Sequence, residues 1–67
     1  MDEEKLNISV RKFLKNLGIK SQRNIEEKIR NKFNSNENTS PKKIKIKAKI
    51  FSEEIDLDET VEGDIEF

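Results

Sequence analysis

The chain has 67 residues, 31% of them hydrophobic and 42% charged. A single small domain with a thin core is expected, at a size where folding buries only about 60% of the unfolded surface. Cysteine and histidine are absent, which excludes disulfides, thiolate chemistry and soft-metal sites and removes the usual general base.

Fourteen cations balance fourteen anions, but unevenly. All 14 cations lie between Lys5 and Lys49 and eight of the 14 anions between Glu53 and Glu66, so residues 1–50 carry +8 and residues 51–67 carry −8. Such asymmetry can mark a nucleic-acid binder. Its weight depends on whether the two halves neutralise each other in the fold. The start, Met1-Asp2-Glu3-Glu4, is acidic where a secretory leader would be basic, and no apolar run approaches ~18 residues. A cytoplasmic protein is expected, with no membrane partner.

Asp2 is a natural N-cap, and Glu3 and Glu4 then complement the helix dipole. Leu6, Val10, Phe13, Leu14 and Leu17 follow the rhythm of one helical face. Gly18 fits a left-handed stop, with Ile19 packing back on Leu14. The spacing therefore predicts a first helix over about 3–17. Ser21 is the expected cap of a second helix over about 22–33, whose stripe is Ile25, Ile29 and Phe33. So short a link makes an αα-hairpin. Residues 34–41 (NSNENTSP) read as a polar loop.

From Lys43 the period becomes two. Ile44, Ile46, Ala48 and Ile50 face one way and Lys43, Lys45, Lys47 and Lys49 the other. Strands are expected at about 43–51 and 54–61, with Gly63 as a bulge or a turn into a short strand at 64–67. A two-residue turn at Ser52-Glu53 would pair Ile50 with Ile55 and set Lys49 opposite Asp56, Lys47 opposite Asp58 and Lys43 opposite Glu62. A four-residue loop would still put lysines across from acids. The lysine run thus reads as a face neutralised within the hairpin, not as a phosphate-binding stripe. The expected fold is α+β, an N-terminal αα-hairpin packed on a C-terminal two- or three-stranded antiparallel sheet, forming a single domain over residues 1–67.

Little chemistry is on offer. Asp56, Asp58 and Glu62 alternate on a wet, lysine-lined face, which offers no desolvated carboxyl for acid–base work. The run from Asp56 places Val61 where a calcium loop needs glycine. A helix–turn–helix reading of Leu17–Arg23 lacks a supporting third helix and has Leu14 where a small residue is common. No catalytic residue, metal ligand, cofactor or small-molecule substrate is expected.

Ile8 stands out, because it lies nearly opposite the apolar stripe among basic residues. With Arg11, Lys12, Lys15 and Arg23 it is the candidate partner contact. The expected function is a small non-catalytic protein-interaction module, binding another protein or a second copy of itself, since a core this thin would gain from a homodimer. The alternative is a weak nucleic-acid-binding accessory protein using the basic face of the helices.

The run SVRKFLKNLGIKSQRNIEEKIR, with the ending Val61-Glu62-Gly63-Asp64-Ile65-Glu66, resembles a family of short bacterial proteins of unknown function. The resemblance implies a helix pair followed by a β-hairpin, a bacterial origin, and no particular activity. Asn24 departs from it, standing where a glutamate would complete a capping box with Ser21, and the loop 34–40 differs as well.

Overall fold

The computed structural model describes residues 1–33 and 41–67. Over the described residues the fold is α+β, with one helix, α1 (Glu3–Phe33), and a hairpin of two antiparallel strands, β1 (Lys43–Ser52) and β2 (Leu57–Glu66). The expected loop falls, up to Ser40, outside the described residues.

Helix α1 starts where its cap dictates. Asp2 Oδ1 accepts the backbone N–H of Lys5 at 3.0 Å, and the Asp2 carbonyl accepts that of Leu6 at 3.0 Å. Glu3 and Glu4 lie in the first turn, Arg30 and Lys32 in the last, so both ends complement the dipole.

The predicted break at Gly18 does not occur. α1 runs 31 residues without interruption, and Gly18 has no positive φ. The αα-hairpin is thereby corrected to a single helix. A glycine stop turns a chain only when the next segment gains by packing back. Here Ile25, Ile29 and Phe33 face the hairpin, so breaking the backbone bonds between Leu17 and Ser21 would gain nothing. A Cβ on Gly18 meets nothing within 4 Å. Gly18→Ala is expected to raise stability by about 1 kcal/mol, read from the urea midpoint. A loss of similar size would restore the left-handed turn.

The hairpin register is Lys43↔Glu66 through Ser52↔Leu57, closed by the four residues Glu53–Asp56. Each β1 residue meets a β2 partner four places beyond the one expected from a two-residue turn: Ile50 faces Glu59, not Ile55. The reason is Asp56, which adopts the left-handed conformation (φ 54°) while its N–H donates to the Glu53 carbonyl at 3.3 Å. Because the shift is even, no side chain changes face. One face carries Ile44, Ile46, Ala48 and Ile50 opposite Ile65, Gly63, Val61 and Glu59. β2 runs through Gly63 to Glu66 as one strand, in place of a separate strand at 64–67.

The helix meets the hairpin at the helix C-terminal half. Phe33 and Phe67 stack with ring centroids 5.6 Å apart and planes at 26°, and Phe67 N–H donates to the Lys42 carbonyl at 2.9 Å. Ile25, Ile29 and Phe33 are half-buried, as are Ile44 and Ile65. A shallow hollow bordered by Gly18, Ser21, Ile25, Ile29 and Ile65 separates the two layers. No described residue is fully buried.

The molecule measures 54 × 20 × 16 Å, with a radius of gyration of 16.3 Å against about 11 Å for a compact chain of this length. A helix of this length spans about 46 Å and the hairpin about 34 Å. An overall length of 54 Å therefore places the hairpin alongside the helix, not beyond its end.

Candidate functional site

At about 100° per residue, the continuous helix places Ile8, Arg11, Lys12, Lys15 and Arg23 within one sector about 120° wide. Had the chain turned at Gly18, Arg23 would belong to a different helix. Lys5 and Ile19 fall in the same sector. All seven side chains are exposed, Ile8 at 60% and Ile19 at 51%. Ile8 sits in an open depression with Asp2, Glu4, Lys5, Ser9 and Lys12, while Ile19 borders another with Gln22, Arg23 and Glu26. Ile19 does not close a Schellman motif as expected; it joins the basic face as a second apolar point three turns along from Ile8.

Diametrically opposite, about 180° around the helix, lie Leu6, Val10, Phe13, Leu14 and Leu17. These were expected to form the core. They are exposed instead, from Leu17 at 36% to Phe13 at 57%, while Ile25, Ile29 and Phe33 are half-buried. The C-terminal stripe repeats every four residues and so drifts around the helix away from the Leu6–Leu17 face. That drift was visible in the spacing, but it signifies exposure only once the helix is known to be continuous.

Three of the four lysines of β1 are engaged within the hairpin. Lys47 Nζ is 3.5 Å from Glu62, Lys49 is 3.6 Å from Asp58 and Lys43 is 4.0 Å from Asp64. The partners expected from the tighter turn (Asp56 for Lys49, Asp58 for Lys47 and Glu62 for Lys43) are each replaced. Lys49 also lies 5.8 Å from the centre of the Phe51 ring. Exposed pairs of this kind contribute only about 0–1 kcal/mol each. Their consequence is for recognition, because an incoming anion must compete with a carboxylate at each of these three lysines. Among the described residues the one ion pair on α1 joins Arg30 to Glu26 at 3.0 Å, although Glu4 and Glu26 share the angular sector of the basic side chains. Glu26 accepts hydrogen bonds from Gln22 at 2.9 Å and from Arg30 at 3.0 Å. The Gln22 amide, and then the Arg30 guanidinium, hold its carboxyl below the ordinary glutamate value.

Among the described residues no three acidic side chains are grouped to hold a metal ion, and no helix is long and apolar enough to cross a membrane. Residues 1–67 match, over their whole length, the family of unknown function DUF6494. The chain belongs to that family. This agrees with the resemblance to short proteins of unknown function carried by Ser9–Arg30 and Val61–Glu66. No curated protein and no solved structure matches the chain.

Proposed function

We propose that this DUF6494 chain is a non-catalytic protein-interaction module whose working element is α1. One observation carries the reading: a 31-residue helix presents apolar and basic side chains on two opposed faces, and the hairpin covers neither. Ile8 and Ile19, set among Lys5, Arg11, Lys12, Lys15 and Arg23 with Glu4 and Glu26 in the same sector, combine apolar anchors with a rim of net positive charge. That is the composition suited to an acidic protein surface, in which apolar contacts supply affinity and charge supplies rate and orientation.

The second reading, weak nucleic-acid binding, draws on the same alignment of cations along one continuous face. Photo-crosslinking separates the two. A benzophenone side chain at position 8 is expected to give protein adducts in the host cell that disappear in the Arg11→Glu/Lys12→Glu/Lys15→Glu variant. Adducts sensitive to nuclease would favour the second reading. Adducts unchanged by the charge reversal would overturn both.

A further inference from the structure

We propose that α1 pairs antiparallel with α1 of a second copy of this chain along Leu6, Val10, Phe13 and Leu17. This builds on the interaction-module reading and names a partner for the face opposite the basic one.

The first support is area. The chain exposes 6618 Å², whereas a compact monomer of its 7.9 kDa mass exposes about 4400 Å². The difference, about 2200 Å², is more than twice the ~800 Å² that one partner contributes to a standard interface. This chain has not covered itself.

The second support is spacing. Leu6, Val10, Phe13 and Leu17 are separated by four, three and four residues, the alternation of a coiled-coil seam. That series reads the same in both directions. A two-fold axis perpendicular to the helix between residues 11 and 12 sets Leu6 of each copy against Leu17 of the other, and Val10 against Phe13. Such a self-complementary patch is what an isologous interface requires. Leu14, on the flank, widens the stripe.

The third support is charge. The seam positions just outside this apolar stretch are Glu3 and Lys20, both exposed. The same axis sets Glu3 of each copy against Lys20 of the other, closing both ends of the apolar seam with opposite charges. A parallel pair would instead set Glu3 against Glu3 and Lys20 against Lys20. Antiparallel pairing also opposes the two helix dipoles favourably. An anionic membrane surface fits this face less well, since lipid-binding helices carry cations beside the apolar stripe, and here most lie on the far side.

Sedimentation equilibrium of the full chain at 50 µM tests the pairing, with a mass about twice 7.9 kDa expected. A monomer mass overturns it, as does binding to anionic phosphatidylserine vesicles by a chain that remains monomeric in their absence. Orientation is read from disulfides, for which a chain without cysteine is well suited. A mixture of Leu6→Cys and Leu17→Cys chains should form the mixed disulfide in preference to either symmetric one. Dominant symmetric disulfides would overturn the antiparallel arrangement. Glu3→Lys and Lys20→Glu should each weaken pairing roughly two- to fivefold, and the double swap should restore it. If the chain is monomeric while the charge-sensitive adducts from position 8 persist, self-pairing fails and the interaction reading stands.

Discussion

Ile29→Asp is expected to release the hairpin from the helix. Ile29 is half-buried between the helix surface and the Ile65–Phe67 end of β2, so the substitution loses apolar contact and places a carboxylate where water is scarce. About 2 kcal/mol of docking free energy should be lost. A two-stranded hairpin is marginal by itself in water, so the effect should reach well beyond residue 29. Amide protection along β1 and β2 should fall together, and the ring-current shifts from the Phe33–Phe67 stack should vanish. The first turns of α1, held by the Asp2 cap, should keep their protection. Unchanged protection of the strands would show that the hairpin needs no helix.

The second large effect is expected at Asp56. Its left-handed backbone is the hinge of the four-residue loop, and a β-branched residue is strained there by about 1–2 kcal/mol. Asp56→Val should lower the urea midpoint accordingly, while Asp56→Gly should leave it unchanged or slightly raised. The same contrast should appear in the pairing. With valine, the amide-to-amide contacts that define Ile50↔Glu59 should weaken before those at Lys43↔Glu66. A valine variant as stable as the parent would mean that the loop geometry does not set the register.

Much of this architecture is legible in local sequence. Asp2 before two glutamates specifies the start of α1. The alternation of lysine with isoleucine from Lys43 to Ile50 specifies a strand with one charged and one apolar face, and the acids after Asp56 specify the partner that neutralises it. Gly18 misleads, because glycine after an apolar run is a stop signal only if the following segment can fold back profitably. That depends on where the hairpin docks, which no window of neighbouring residues contains. The register misleads for a related reason. Ser52-Glu53 and Glu53–Asp56 both close hairpins with every face correct, and the choice between them rests on the φ of one aspartate.

The candidate site follows the same division. Ile8, Arg11, Lys12 and Lys15 share a face on any helical reading of residues 3–17, whereas Arg23 joins them only because α1 is unbroken. The exposure of Val10, Phe13 and Leu17 could not be read from composition, since an amphipathic stripe looks the same whether it meets its own chain or another.

The opposition of the two faces across α1 has a consequence for valency. Two chains joined along the Leu6–Leu17 seam turn their Ile8–Arg23 faces away from each other, on opposite outer surfaces of the pair. Such a pair cannot close both basic faces on one compact target. It would act as a double-headed linker, holding two acidic surfaces roughly two helix diameters apart, about 20–24 Å, and drawing its avidity from targets that are themselves arrayed or repeated.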